Sequence, residues 1–230
     1  MGEGIILPLS FAIFNYYSST VLLKGSEFCM LVVLLNGSPN KEGNTAFLLK
    51  EAEKVIKSGG VNTKIINVAD AVLDAKHPFC TCCSTPCSGI CYKDTLLEEA
   101  YDSLRRAAGI VFGSPVYFGT VTAQMKAFWD KTRALRKEKA LVDVIGAAVT
   151  TGASRFGGQE TTVRALHDIM LIHGMTIVGD GFFEDDAGHQ GACAQKPADK
   201  DETAIKRTQV LAKRVAFLVK NQKGFNLDIK

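Results

Sequence analysis

Five short apolar runs alternate with five stretches of helical periodicity, and this alternation constrains the fold more than any other feature. The predicted strands cover about residues 29–35, 63–67, 108–115, 143–150 and 175–179. The predicted helices cover about residues 45–57, a segment opened by a capping box at Thr95–Glu98, and then 121–137, 159–173 and 200–221. Strands that alternate with helices in this way predict a parallel sheet with helices on both faces.

This element order is typical of the flavodoxin-like fold, a doubly wound, five-stranded parallel sheet of order 2-1-3-4-5 in a three-layer αβα arrangement. The related dinucleotide-binding fold has G-x-G-x-x-G after its first strand, whereas this chain has "NGSPNKEGNT" over residues 36–45. A loop rich in Ser, Thr and Asn at a helix N-terminus suits a terminal phosphate, because hydroxyls, amides and free N–H groups can surround its oxygens. The alternative interpretation of the same loop is an N-capped turn.

The size and composition of the chain predict one domain. With 230 residues and 47% apolar content, the chain can bury one core, which we assign to residues 29–230 with a cysteine-rich insert at 77–93. Residues 1–28 are predicted to be a dispensable N-terminal extension: the segment is apolar, but Pro8 and Asn15 interrupt it and no Lys or Arg precedes it. We therefore expect no signal peptide and no membrane association; the alternative interpretation of this segment is a weak membrane anchor.

Charge and cysteine usage narrow the functional classes. The formal net charge of +3 is too balanced for a protein that neutralises nucleic-acid phosphates. Five of the seven cysteines lie within residues 80–91, whereas disulfide frameworks spread their cysteines through small secreted domains. We therefore expect a reduced, cytoplasmic protein with a local metal or redox site. The basic run over 131–139 is interpreted as cations at a helix C-terminus, and so is His173 before Gly174.

Three loops are predicted to meet at one edge of the sheet, because parallel strands end on the same side. The loop after strand three, "GSPVYFGTVTAQ", can hold extended backbone against a planar ring; its alternative interpretation is a packed Tyr/Phe pair at a helix start. The loop after strand four, "TTGASRFGGQE", has three glycines that permit close approach of backbone to a ligand. The combination of three loops is more informative than any one of them.

The segments "NGSPNKEGNT", "GSPVYFGTVTAQMKAFWDKT" and "TGASRFGGQETT" resemble the flavin loops of the NADPH-dependent FMN reductase and iron–sulfur flavoprotein group, over roughly residues 30–180. The resemblance implies bound FMN. Its phosphate would be bound by Ser38, Asn40, Asn44 and Thr45. Its isoalloxazine ring would lie against Pro115, Val116, Tyr117, Phe118 and Gly119, with Thr151, Gly152, Gly157 and Gly158 on the third side. No catalytic acid or base is required, because the chemistry belongs to the flavin.

The cysteine cluster follows strand two, so the predicted topology brings it near the same edge of the sheet. The resemblance implies a [4Fe–4S] cluster on Cys80, Cys83, Cys87 and Cys91, although the second and third gaps of Cys-x2-Cys-x3-Cys-x3-Cys depart from the family pattern. A zinc ion and a bare redox thiol or disulfide are the alternatives. Cys82 is predicted to be a bystander.

These observations predict an FMN-dependent oxidoreductase or electron-transfer flavoprotein, with NAD(P)H or ferredoxin as donor and a small molecule or redox partner as acceptor. Family resemblance implies a homodimer or homotetramer. One alternative is a flavin-only NAD(P)H:quinone or FMN reductase whose cysteine loop binds zinc or nothing. Another is a redox-sensing flavin-binding module.

Overall fold

The computed structural model describes residues 30–222, and a parallel sheet forms its centre. The predicted extension over residues 1–28 and Cys29 lie outside the described residues. The principal strands are β1 (Leu31–Asn36), β2 (Asn62–Asn67), β3 (Ala107–Pro115), β4 (Ile145–Gly152) and β5 (Thr176–Ile177). They pair in the order β2-β1-β3-β4-β5, and every pair is parallel. The predicted order 2-1-3-4-5 is confirmed.

Helices cover both faces of this sheet. The helices are α1 (Asn44–Ser58), α2 (Val68–Asp74), α3 (Leu96–Arg105), α4 (Ala123–Asp130), α5 (Arg133–Glu138), α6 (Gln159–Ile172) and α7 (Glu202–Asn221). Helices α1 and α7 pack with Val32 and Leu34 of β1, while α2 to α6 pack with Val33 and Leu35 on the other face. Strand side chains alternate between faces, so the continuous apolar run of β1 supplies both halves of the core.

The fifth strand is shorter than predicted, and a sixth strand continues its edge of the sheet. Only Thr176 and Ile177 of the predicted strand 175–179 pair with the start of β4. The chain then leaves the sheet and returns as β6 (Ala192–Gln195), which pairs in parallel with Val149–Gly152. In the excursion, the backbone at Gly179 and Gly181 lies too close to His189 and Ala187 for any Cβ. This close backbone pairing replaces the longer predicted strand.

Side-chain hydrogen bonds accompany two differences from the predicted helix boundaries. The helix predicted over 121–137 is divided into α4 and α5, and the Thr132 hydroxyl donates to the carbonyl of Trp129 at the break. The Thr95–Glu98 capping box does not form, because Glu98 accepts from the N–H of Asp94 instead (2.6 Å). The first helical N–H, at Leu96, donates to Asp74 at the end of α2 (2.7 Å).

Helix α2 was not predicted, and it lies within the segment 68–93 that the sequence assigns to a loop. It begins directly after β2 and carries the chain about 10 Å along the helical layer, at 1.5 Å per residue. The cysteines follow only after this helix. Among residues 30–222, no helix combines the length and the apolar character needed to cross a bilayer.

Candidate functional site

The loop between β1 and α1 uses its side-chain oxygens to fix its own backbone. The N–H of Asn40 donates to the Ser38 hydroxyl (3.1 Å), and the N–H of Glu42 donates to the Asn40 side-chain oxygen (3.0 Å). The Asn44 side-chain oxygen accepts from the distant N–H of Ala198 (2.7 Å). Within the described residues, the Ser38 hydroxyl proton and the amide protons of Asn40 and Asn44 have no protein acceptor. The loop therefore presents donors, which suit an anion.

The N-terminus of α1 adds to this donor surface. Gly43 is the N-cap and supplies no side-chain hydrogen bond, so the first N–H groups of this 15-residue helix are not capped by it. The aligned peptide dipoles favour negative charge at this end. Thr45, 1% exposed, lies with its hydroxyl 3.0 Å from that of Thr151 at the end of β4. The first and third predicted loops therefore touch.

The loop after β3 turns sharply and exposes two aromatic rings. The N–H of Val116 donates to the carbonyl of Thr151 (2.8 Å), which holds the second loop against the third. Phe118 and Gly119 have φ angles of 50° and 79°, and a Cβ added at Gly119 would meet nothing within 4 Å. Tyr117 is 46% exposed and Phe118 is fully exposed. Exposed aromatic side chains beside open space suit a planar ligand.

The loop after β4 requires glycine where it approaches the second loop. Gly158 has a φ of 98°, and a Cβ there would lie 3.1 Å from the Cα of Gly119. The Thr161 hydroxyl donates to the carbonyl of Gly119 (2.8 Å), and the Gln159 amide accepts from the N–H of Gly157 (2.9 Å). The structure thus brings the three predicted loops together at one rim of the sheet.

The third loop also borders a large groove that the sequence did not indicate. The groove has a volume of about 1010 Å³ and extends from Phe156 and Gln159 to β6 and the first turn of α7. Its charged lining residues include the cations Arg155, Lys196 and Lys200 and the anions Glu160, Asp201 and Glu202. This mixed lining favours no single ligand charge.

The cysteine loop lies against the junction of α4 and α5. Cys80, Cys87 and Cys91 are half-buried, whereas Cys82 and Cys83 are exposed. In the part of the chain that the structure describes, no three His, Cys, Asp or Glu side chains form a group that could hold a metal ion. The four thiols have the right donor chemistry for a cluster or zinc, but the loop as folded does not gather them.

Two cations contact this loop, and the sequence interpretation missed both. Lys131, 2% exposed, directs its ammonium to the carbonyl of His77 (2.9 Å) and to the sulfur of Cys91 (3.4 Å). The Arg133 guanidinium donates to the sulfur of Cys82 (3.3 Å) and to the carbonyl of Ser84 (3.2 Å). Lys131 is the C-cap of α4, as expected of a cation at a helix C-terminus, but its side chain is buried against the loop. Arg133 is instead the first residue of α5, so the interpretation is wrong for this residue. Lys131 follows buried Phe128 by three residues, and this helical spacing was the available signal.

His173 is the C-cap of α6, as predicted, but the prediction that it is a cation there is wrong. Its side chain is buried, and Nε2 lies 2.9 Å from the Thr132 hydroxyl. Burial lowers the pKa of this imidazole to about 4, and neighbouring Arg136 lowers it as well. The ring is therefore neutral at pH 7, because desolvation outweighs the helix dipole.

A parallel sheet of this order, with three polar and glycine-containing loops at one rim, defines a flavodoxin-like protein. A profile of the NADPH-dependent FMN reductase family matches residues 30–190. The chain is 39% identical over 195 residues to an iron–sulfur flavoprotein of Methanocaldococcus jannaschii, covering 83% of this chain and 98% of that protein. It is 33% identical over 187 residues to an iron–sulfur flavoprotein of Methanosarcina thermophila, covering 81% and 93%.

Solved structures agree on the fold. The apo form of an NADH:FMN oxidoreductase superposes with a TM-score of 0.63 at 18% identity, covering 84% of this chain and 92% of that one. The chain belongs to the NADPH-dependent FMN reductase family, and it is an oxidoreductase and a flavoprotein.

Proposed function

We propose that the chain binds FMN at the rim formed by the three loops and oxidises NAD(P)H there. The observation that carries this proposal is the set of unpaired donors on Ser38, Asn40 and Asn44 beside the α1 N-terminus. These donors, with Thr45, would bind the phosphate. Pro115 to Gly119 would support the ring, and Thr151, Gly152, Gly157 and Gly158 would close its third side.

The side chains at this rim bind and orient rather than transfer protons. FMN, when bound, supplies the acceptor for a hydride from a reduced nicotinamide. Val116 and Thr161 hold the second and third loops at a fixed separation through their hydrogen bonds to Thr151 and Gly119. A preformed slot of this kind lowers the conformational cost of binding a planar ligand.

The phosphate assignment predicts that Ser38→Ala combined with Asn40→Ala weakens FMN binding by about 100-fold or more. Each substitution removes a hydrogen bond to a charged group, worth about 1.5 kcal/mol or more. Fluorescence titration of the apoprotein measures the affinity. Riboflavin, which has the same ring and no phosphate, is the matched control. Equal losses for both ligands, or none for FMN, would contradict the assignment.

We further propose that Cys80, Cys83, Cys87 and Cys91 bind a [4Fe–4S] cluster under anaerobic assembly. Two relatives are named iron–sulfur flavoproteins, and Lys131 and Arg133 supply positive charge beside the sulfur atoms. Positive charge beside the loop would offset part of the negative charge of four iron-bound cysteines. The loop as folded does not gather three ligands, so its geometry supports no reaction step through a cluster.

Metal and sulfide analysis after anaerobic purification tests this second proposal. We expect about four iron and four sulfide per chain, a loss of both on Cys87→Ser, and retention of both on Cys82→Ser, the matched control. A measured content of about one zinc per chain and no sulfide would indicate a tetrahedral zinc site instead of a cluster. FMN without either metal would favour the flavin-only quinone or FMN reductase.

The partners follow from the same proposals. We propose NAD(P)H or ferredoxin as donor, a small molecule or redox protein as acceptor, a homodimer or homotetramer as assembly, and a cytoplasmic location. Reduction of bound FMN by NADPH without turnover with any acceptor would favour the redox-sensing module instead.

A further inference from the structure

Hydroxyl groups join the three loops of the candidate site in pairs. The Thr45 hydroxyl lies 3.0 Å from that of Thr151 and joins the first loop to the third. The Thr161 hydroxyl donates to the carbonyl of Gly119 (2.8 Å) and joins the third loop to the second. The first and second loops are joined by Thr122, a fully buried residue that directly precedes α4.

The hydrogen bonds of Thr122 hold its side chain in one orientation. Its side-chain oxygen accepts from the N–H of Met125 and so caps α4 (3.1 Å), while its own N–H donates to the Ser114 hydroxyl in β3 (3.3 Å). The Thr122 hydroxyl in turn donates to the carbonyl of Gly37 in the first loop (2.6 Å). One residue therefore connects the end of β3, the start of α4 and the first loop.

The first loop packs closely against this junction at Gly37. The N–H of Gly37 donates to the carbonyl of Gly113 in β3 (2.7 Å). A Cβ at Gly37 would lie 2.6 Å from the Cε of Met125 and 2.9 Å from the carbonyl oxygen of Gly113. Because Gly37 is buried, its carbonyl would be left unpaired without the Thr122 hydroxyl, and an unpaired buried carbonyl is costly. Loss of the hydroxyl therefore favours a displaced first loop.

We propose that Thr122 is a positioning residue for FMN, which fixes the first loop, with its phosphate donors, relative to the second loop, with its ring-supporting backbone. This proposal rests on the proposed FMN site. A ligand that occupies two linked sites binds tightly only when their separation matches the ligand, because the second contact then adds little ordering cost. Thr122 is buried, so it acts through Gly37 rather than by touching the ligand.

Riboflavin distinguishes this role from a general contribution to stability. It has the ring of FMN but no phosphate, so its affinity depends on the second and third loops, which stay joined through Thr161 and Val116. FMN requires the first loop as well. The ratio of the association constants for FMN and riboflavin therefore measures how well the phosphate and ring sites are aligned. A fold that is merely less stable weakens both ligands alike.

The test compares Thr122→Val with Thr122→Ser by fluorescence titration of the apoprotein with FMN and with riboflavin. Valine has nearly the shape of threonine without the hydroxyl, whereas serine keeps the hydroxyl. We expect Thr122→Val to lower the ratio of the two association constants about 10-fold, the effect of leaving buried polar groups unpaired. Thr122→Ser should restore the ratio to within about twofold of that of the unmodified protein, because its hydroxyl can make the same bonds.

Two other threonines provide matched control variants. Thr132→Val removes a buried hydroxyl at the break between α4 and α5, so it should lower stability without changing the ratio. Thr161→Val removes the link between the second and third loops, so it should weaken both ligands by a similar factor. Urea unfolding of each apoprotein measures the loss of stability separately.

Three results would overturn the role of Thr122 and leave the proposed FMN site standing. They are an unchanged ratio in Thr122→Val, a ratio in Thr122→Ser as low as in Thr122→Val, and an equal fall of the ratio in Thr132→Val. In each case the unmodified protein would still prefer FMN to riboflavin. Equal affinities of the unmodified protein for the two ligands would instead reject the phosphate site itself, and the role of Thr122 with it.

Discussion

Lys131 and His173 are basic residues at neighbouring helix ends, and burial affects them differently. Lys131 retains two acceptors, the carbonyl of His77 and the sulfur of Cys91. His173 has a hydroxyl partner at Nε2, no partner at Nδ1, and the cationic Arg136 nearby. A buried charge is tolerated only where polar groups solvate it, so the imidazole stays neutral.

His173 therefore predicts a specific pH dependence of stability. Its pKa is about 4 in the folded protein and about 6.5 unfolded, so below pH 6.5 the unfolded chain binds a proton that the folded protein does not. The free energy of unfolding should fall as pH drops from 6.5 to 4, by up to about 1.4 kcal/mol per pH unit from this group. His173→Gln should flatten this dependence while retaining a donor toward Thr132.

Urea unfolding of both proteins at pH 7.5, 6, 5 and 4 measures the difference. The substitution also removes the contact between the His173 ring and Trp129, so a constant loss of stability is expected at every pH. Only the slope of the free energy of unfolding against pH tests the prediction. Parallel curves for the two proteins would show that the histidine is accessible to protons in the folded state.

At the scale of elements, strong local periodicity was sufficient to predict most helices and strands. Helices α1, α6 and α7 begin and end within two residues of the predicted bounds, because each combines an apolar stripe with polar or glycine-containing ends. The break between α4 and α5 was not predicted; Lys131 at this break contacts a loop some 40 residues earlier, which local periodicity cannot indicate. The shortened β5 likewise depends on backbone pairing with residues ten positions later.

In the candidate site too, local features could be predicted from sequence, whereas contacts between distant segments could not. Its three rim loops could be predicted because each is one continuous segment that follows a predictable strand. Their mutual contacts, Thr45 with Thr151 and Thr161 with Gly119, follow from the strand order. The cysteine loop was predicted near the same edge of the sheet, without the short helix α2 that stands between β2 and the cysteines along the chain. The cations that contact it come from a different element.

At the scale of the whole molecule, the rim loops and the cysteine loop are separate regions joined through α2 and the sheet. Helix α2 packs its Val68 and Val72 into the core. The two regions contact opposite ends of α4: its N-cap Thr122 donates to the carbonyl of Gly37, and its C-cap Lys131 contacts Cys91. The loop after β1 is instead hydrogen-bonded to the segment just before α7: the N–H of Ala198 donates to the side-chain oxygen of Asn44. Ligand binding at the rim should therefore stabilise the three loops and the start of α7 together.

This arrangement predicts a pattern of hydrogen exchange. FMN at about 100 times its dissociation constant stabilises the protein that binds it by about 2.7 kcal/mol, and local protection should increase over 37–45, 115–120, 151–158 and around Ala198. Residues 80–91 should show little change beyond any global effect, since α2 separates them from the rim. Riboflavin is expected to protect the second and third loops but not the first, because it lacks the phosphate. Mass spectrometry of exchanged peptides, with and without each ligand, measures this. Strong FMN-specific protection of the cysteine loop would instead mean that the loop closes over the flavin.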